Sequence, residues 1–205
     1  MKIACIGGGP AGLYFSILMK KAFPDADITV SEKNKADDTF GWGVVFSRET
    51  LGNLREADAE SYLEIERSFS YWDDIQTFYR GTCTTSTGHG FCGLSRRALL
   101  MLLQARAASL GVKLEFSREL PAAPLPQADL VVASDGVHSL TREKYAEVFR
   151  PTVDWRKCKF SWLGTTLPLT AFTFIFKETP HGLFQVHAYP FEKGQIGRAS
   201  CRERV

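Results

Sequence analysis

The chain has 205 residues, 44% hydrophobic and 23% charged, the balance of a globular protein of one domain or one and a half. The formal net charge of +2 belongs to the last ten residues; without them 22 basic residues face 22 acidic ones, which argues against a nucleic-acid partner. No apolar run approaches the length of a membrane span, and five cysteines without CxxC spacing point to free thiols rather than disulfides or a metal site.

The N-terminus, MKIACIGGGP, lacks the long apolar stretch and small-residue cleavage site of a signal peptide, so a cytoplasmic location is expected. Lys2 to Ile6 reads as a strand and runs straight into GGGPAG. LYFSILMKKAF follows, with Leu13, Ile17 and Leu18 at helical spacing, and ADITVSEK is the next strand, Ile28 and Val30 alternating before Glu32. Strand, glycine turn, helix and strand within about 30 residues form the dinucleotide-binding βαβ unit. Gly7 permits the turn, Gly9 lets the backbone approach a pyrophosphate, and Gly12 lets the helix lie close to the strand. The helix N-terminus, with Pro10 and Ala11, offers unpaired N–H groups to phosphates. Glu32, 20 residues past Gly12 and followed by Lys33, stands where a carboxylate takes ribose hydroxyls. The spacing alone does not choose between FAD and NAD(P).

Further along, FGWGVVFS (40–47) is an uncommon segment, and STGHGFCG carries His89. LSRRALLMLLQARAASLGV predicts a helix capped by Ser95, stopped by Gly111, with Leu99, Leu103, Ala107 and Leu110 as its apolar stripe. PAAPLPQ (121–127) is a short connector. Leu130 to Ala133 predicts a buried strand, followed by Asp135, Gly136, Ser139 and Arg142 as D-G-x-x-S-x-x-R. There a carboxylate beside a glycine turn can accept from a ribityl or ribose hydroxyl; the plainer role for Asp135 is a helix cap. From Lys157, CKFSWLG, FTFIFK and LFQVHAY predict three strands rich in aromatic and β-branched residues, with His187 in the third.

The closing IGRASCRERV breaks this pattern. Written as ATC GGA AGA GCG TCG TGT AGG GAA AGA GTG, it reproduces a widely used sequencing-adapter sequence in frame. Residues 196–205 are therefore expected to be non-biological, with the biological frame continuing after about Gln195.

The D-G-x-x-S-x-x-R segment, together with the first glycine turn, resembles the second fingerprint of the para-hydroxybenzoate hydroxylase-like FAD-dependent aromatic monooxygenases. Arg96, Leu99 and Leu103 match an R-x-x-L-x-x-x-L pattern of that family. FGWGVVFS, WLGTT and FQVHAY are similar to the branch of salicyloyl-CoA 5-hydroxylase and aminobenzoyl-CoA monooxygenase type enzymes. The resemblance implies an α/β fold: a Rossmann-like FAD-binding domain (1–156) lacking its C-terminal part, then the start of an antiparallel β-sheet substrate domain (157–195). It implies FAD held by Gly7, Gly9, Pro10, Ala11, Gly12, Glu32, Lys33, Arg96, Asp135 and Gly136, with His138 at a position that helps hold the nicotinamide cofactor. It further implies NAD(P)H as co-substrate and O2-dependent hydroxylation of an aromatic ring through a flavin hydroperoxide, with an aryl-CoA thioester as substrate. Trp42 would wall off water, while His89 and His187 would face substrate or be plain structural residues. No side chain is needed as nucleophile, and none is assigned a catalytic role. The family's third fingerprint, Gly-Asp followed by a His and a Pro, is missing here, so the chain reads as an N-terminal fragment, inactive alone. The alternatives are an NAD(P)-dependent reductase and an inactive truncated flavin domain.

Overall fold

The computed structural model describes residues 1–192 and 195–203, with side chains described through Phe191. In chain order the elements are β1 (Lys2–Ile6), α1 (Pro10–Ala22), β2 (Asp27–Ser31), β3 (Gly43–Phe46), α2 (Arg48–Ala57), α3 (Ala59–Glu66), β4 (Ser70–Trp72), β5 (Ile75–Tyr79), β6 (Thr82–Ser86) and β7 (Phe91–Ser95). They continue with α4 (Arg96–Ser109), β8 (Lys113–Glu115), β9 (Leu130–Ala133), α5 (Leu140–Lys144), α6 (Ala146–Phe149), β10 (Lys159–Thr165), β11 (Phe172–Thr179), β12 (Gly182–Glu192) and β13 (Gln195–Glu203). They gather into two compact units, Met1–Thr39 with Leu99–Val153, and Phe40–Ala98 with Asp154–Val205.

The first unit is built on a parallel sheet in the order β8-β2-β1-β9. Ile3 lies opposite Ile28 and Leu130, and Cys5 opposite Val30 and Val132. Strands joined by helical crossovers are covered on their faces, and β1 reads as a nearly continuous apolar run, whereas in β2 the apolar Ile28 and Val30 alternate with polar residues. Ile3, Leu13, Ile17, Ile28 and Val30 are fully buried, each worth roughly 1.5–3 kcal/mol of transfer free energy. α1 starts at Pro10, whose fixed φ suits a first helical turn, and ends with Lys20 and Lys21 over its C-terminal carbonyls. Its buried stripe is Gly12, Leu13, Ser16 and Ile17, leaving Leu18 half-buried. Ser16 can lie inside because its hydroxyl donates to the Gly12 carbonyl at 2.7 Å.

Two expectations need correcting in this unit. β9 is not a buried strand: Leu130 is 39% exposed, because β9 is the edge of the sheet with β1 as its neighbour among the described residues. In α4, Leu99, Leu100, Leu103, Gln104 and Ala107 are buried, whereas Leu110 lies past the helix end and is half-buried. The helix punctuation is as expected. Ser95 Oγ accepts from Ala98 N at 3.2 Å, and Gly111 takes a left-handed φ of +86°.

The second unit contains a three-stranded sheet, β3-β7-β4, and a larger one, β10-β13-β12-β11-β5-β6. The three aromatic-rich strands expected after Lys157 are β10, β11 and β12. β11 and β12 pair antiparallel, Phe174 opposite His187. On its other side β11 pairs parallel with β5, Phe172 opposite Ile75, so the sheet is mixed. The β5–β6 hairpin turns on Arg80 and Gly81, both at positive φ, the geometry whose twist matches the flanking strands. The backbone of β13 pairs with β10 and β12; Arg204 and Val205 of the expected adapter-derived tail lie outside the described residues.

Candidate cofactor-binding site

The first glycine turn is locked by its neighbours. Gly7 sits at φ +102°, and a Cβ there would approach the Ser134 carbonyl to under 3.0 Å. A Cβ on Gly12 would meet the Gly7 carbonyl and Ser134 Oγ equally closely. Gly9 differs: its φ is −70°, and a Cβ would meet nothing within 4 Å. Protein backbone or side chain thus fills the space beside Gly7 and Gly12, whereas the space beside Gly9 is open. Pro10 and Ala11 are exposed at the same helix end.

Ser134 is the residue that sequence reasoning missed. Its backbone N–H donates to the Ile6 carbonyl at 2.8 Å and its hydroxyl to the Gly7 carbonyl at 2.9 Å. It therefore ties the end of β9 to the turn after β1, and so brings the two motifs, 128 residues apart, side by side. The small polar residue just before Asp135-Gly136 was the available signal.

Glu32 closes the other side of the turn. Its Oε2 accepts from Gly8 N at 2.7 Å, and its Oε1 from Asn34 N at 2.9 Å and Asn34 Nδ2 at 2.7 Å. Each carboxylate oxygen has more than one acceptor site, so the carboxylate can still take a hydroxyl. Lys33 points outward and is exposed.

On the second motif, Ser139, not Asp135, caps α5, accepting from Arg142 N at 2.9 Å. Asp135 accepts from Thr141 N at 3.2 Å. Burial alone would raise the Asp135 pKa, but hydrogen bonds from Ser139 and Thr141 outweigh it and hold the carboxyl below its ordinary value. Gly136 is exposed at φ +86°, His138 is exposed, and Arg142 folds back to donate to the carbonyls of Gly136 and Val137. A hollow of about 600 Å³ opens beside this turn, lined by Val132, Asp135, Gly136, Ser139, Arg142 and Tyr145 among others.

Arg96 belongs to the second unit. Its Nη1 donates to the Phe40 carbonyl at 2.8 Å, its backbone N–H donates to the Trp42 carbonyl at 2.8 Å, and its guanidinium lies 5.5 Å over the Trp162 ring. It therefore clamps the GWG segment. Trp162 also packs on Gly41 and Trp42 on Gly164, a reciprocal tryptophan–glycine contact that links 40–43 to β10. Trp42 is 47% exposed, so it is not a buried turn aromatic.

His89 and His187 both join one aromatic cluster of the second unit. His89 stacks on Phe91 at 5.7 Å, and Phe91 and Tyr189 stack on Trp72 at 6.3 and 6.2 Å. Phe172 meets Trp72, Phe91 and Tyr189 edge-on, and His187 lies 4.6 Å from Phe174. Tyr189 is anchored by its hydroxyl donating to the Gly43 carbonyl at 3.1 Å. Burial pushes the nearby Cys92 thiol up to about 12, which leaves it an unreactive thiol. Cys5, Cys83, Cys92 and Cys158 are free, and among the described residues no cluster of His, Cys, Asp or Glu could hold a metal ion. No helix among them is long and apolar enough to cross a membrane.

No family model matches the chain. It is 44% identical over 191 residues to a salicyloyl-CoA 5-hydroxylase from a Streptomyces species, covering 93% of this chain and 37% of that protein. It is 32% identical to a 3-hydroxy-4-methyl-anthranilyl-[aryl-carrier protein] 5-monooxygenase from Streptosporangium sibiricum, of which it covers 54%. It is also 32% identical to a protodeoxyviolaceinate monooxygenase from Chromobacterium violaceum, of which it covers 52%. The chain thus spans between about a third and about half the length of these relatives, each named a hydroxylase or a monooxygenase. Among solved structures, its fold is that of 2-methyl-3-hydroxypyridine-5-carboxylic acid oxygenase, at TM-score 0.74 and 17% identity over 98% of this chain and 58% of that one. It is equally that of Pseudomonas aeruginosa PqsL in complex with 2-aminobenzoylacetate, at TM-score 0.77 and 13% identity over 100% of this chain and 61% of that one.

Proposed function

We propose that the chain is the flavin-binding portion, with part of the substrate domain, of an FAD-dependent aromatic monooxygenase acting on an aryl-CoA thioester with NAD(P)H and O2. The observation that carries this reading is the paired turn, in which Ser134 ties the Asp135-Gly136 segment to the glycine turn after β1. A nicotinamide-only βαβ unit has no need of that second segment. The residues fit FAD. Gly7 and Gly12 bring the turn and helix as close as backbone allows, Gly9 leaves open space at the helix N-terminus, and carboxylates flank the turn on both sides.

In this reading the N–H groups at Gly9, Pro10, Ala11 and Gly12, proline excepted, face the phosphates, and Glu32 takes ribose hydroxyls beside Lys33. Asp135, kept ionised, accepts a hydroxyl at Gly136, and Arg96 holds the GWG segment in place. FAD, when bound and reduced by NAD(P)H, would activate O2, one atom of which goes to the ring and the other to water. The chain's own task is to hold the cofactor, exclude water and place the ring.

The test is titration of the purified chain with FAD and, separately, with NADH and NADPH. A stoichiometric yellow complex with FAD supports the reading. Binding of a nicotinamide cofactor by a chain that does not take up FAD would replace it with a reductase. For the full-length protein, consumption of NADH or NADPH should depend on O2 and on an added aryl-CoA thioester.

A further inference from the structure

We propose that the exposed stretch 154–159 of the second unit binds the nucleotide end of a coenzyme A thioester, Trp155 stacking on the adenine and Arg156, Lys157 and Lys159 taking the phosphates; this rests on the aryl-CoA reading above. Trp155 is 82% exposed, more than any other large apolar side chain among the described residues. Arg156, Lys157 and Lys159 are exposed beside it. Arg156 meets Asp154 at 3.3 Å, but both side chains stand open to solvent, and such a pair holds neither partner firmly. Among the described residues no carboxylate pairs with Lys157 or Lys159. Residues 1–195 hold 22 basic and 22 acidic residues, so three cations against one acid within this short stretch are a local excess, and its complement is an anion.

The chemistry of the stretch selects the anion. A single exposed aromatic ring is ordinary on a protein surface, and so is a short run of cations. Their coincidence points to a nucleotide, because every base offers a π-face that an indole can cover, and the phosphates beside it need the cations. The planar Arg156 fork suits a pyrophosphate, and the two ammonium groups act as point charges for a further phosphate. Five extended residues span at most about 17 Å, so the indole and all three cations can meet one ligand that carries an adenine, a pyrophosphate and a 3′-phosphate. The stretch runs directly into β10, in the sheet ordered β10-β13-β12-β11-β5-β6. Paired strands lie about 4.8 Å apart, which puts β10 about 14 Å from β11. A nucleotide held at 154–159 therefore leaves the acyl end within reach of the same sheet through the extended pantetheine arm.

The experiment titrates the 205-residue chain, in excess FAD so that the glycine turn is occupied, with coenzyme A, dephospho-coenzyme A and inorganic pyrophosphate, read by calorimetry and by tryptophan emission. The wild type is expected to bind coenzyme A with a Kd below about 1 mM, more weakly as salt is raised, and to prefer it to dephospho-coenzyme A. The double variant Lys157→Gln, Lys159→Gln should weaken binding about tenfold and flatten the salt dependence. Trp155→Ala should weaken it about fivefold and abolish the quenching of emission, while Trp155→Phe, which keeps a stacking face, should recover most of the affinity. These side chains are exposed, and native circular dichroism checks that each variant folds. Arg202 stands opposite Lys159 in the pairing of β10 with β13, so Arg202→Gln is titrated alongside and should keep the wild-type affinity. No binding of coenzyme A, equal affinity in the wild type and the 155, 157 and 159 variants, a loss confined to Arg202→Gln, or displacement by an equal concentration of pyrophosphate would overturn the proposal. If the chain takes up FAD but not coenzyme A, the failure is confined to 154–159; a chain that takes up neither would bring down the function proposed above as well.

Discussion

At the scale of single residues, the glycines of the first turn separate folding from binding. Gly12→Ala places a methyl group against the Gly7 carbonyl and the Ser134 hydroxyl, at the joint between β1, α1 and β9. Neither the Gly7 carbonyl nor the Ser134 hydroxyl can move without breaking the bond between them, so the expected cost is about 2–3 kcal/mol of stability, read from urea unfolding. Gly9→Ala meets nothing and needs no unusual φ, so its stability should stay within about 0.5 kcal/mol of wild type. Its FAD affinity should nevertheless fall about tenfold, since the methyl group occupies the space through which phosphates approach. A Gly9→Ala chain that binds FAD as well as wild type would remove the phosphates from this turn. Asp73 offers a second residue-level test, through pH. Its carboxylate accepts from Gly88 N at 2.8 Å and Gly90 N at 2.9 Å, and these bonds, led by Gly88, hold its pKa below the ordinary value. A folded pKa below the unfolded one stabilises the fold above the unfolded pKa, and that contribution is lost as pH falls through the folded value. The gap in thermal midpoint between wild type and Asp73→Ala should therefore be constant from about pH 5 to 7 and close as the carboxylate protonates below the ordinary range.

At the scale of elements, what the sequence reveals tracks how local each signal is. β1, α1 and β2 are legible because strand, glycine turn, helix and carboxylate follow one another within one βαβ unit, each supported by its own periodicity. α4 is legible from Ser95 at one end and Gly111 at the other. The edge position of β9 is not, since LVVA carries the same apolar run whether a strand has one neighbour or two. β5 and β6 are hidden for a different reason: TCTTS is exposed along its whole length, so it has no apolar alternation, and β5 finds β11 about 97 residues away. Ser134 and the tryptophan–glycine contacts are equally invisible, because each depends on a partner more than 100 residues distant. The hairpin did leave a local trace in Arg80-Gly81. Gly81 sits at φ +80°, so Gly81→Val should destabilise the hairpin by about 1–2 kcal/mol, with amide exchange quickening across Ile75–Ser86 first.

At the scale of the whole molecule, the chain passes three times between its two compact units, and neither unit is a continuous stretch of sequence. The proposed cofactor residues divide unevenly between them. Gly7, Gly9, Pro10, Ala11, Gly12, Glu32, Lys33, Asp135 and Gly136 belong to the first unit, and Arg96 alone to the second. The aromatic cluster belongs wholly to the second, and it draws Trp72 and Phe91 from the early stretch but Phe172, Phe174, His187 and Tyr189 from the late one. Removing residues 154–205 should therefore affect the two unequally. The parallel sheet β8-β2-β1-β9 and both glycine turns lie outside the deleted stretch, so FAD affinity should fall by about tenfold or less. Trp72 would lose Phe172 and Tyr189, and β5 would lose its pairing with β11, so tryptophan emission should shift to the red and the second unit should lose its cooperative transition. Titration with FAD and fluorescence of the same truncated sample read both effects together. If FAD binding disappears along with the Trp72 environment, the paired glycine turns of the first unit are not sufficient to hold a flavin.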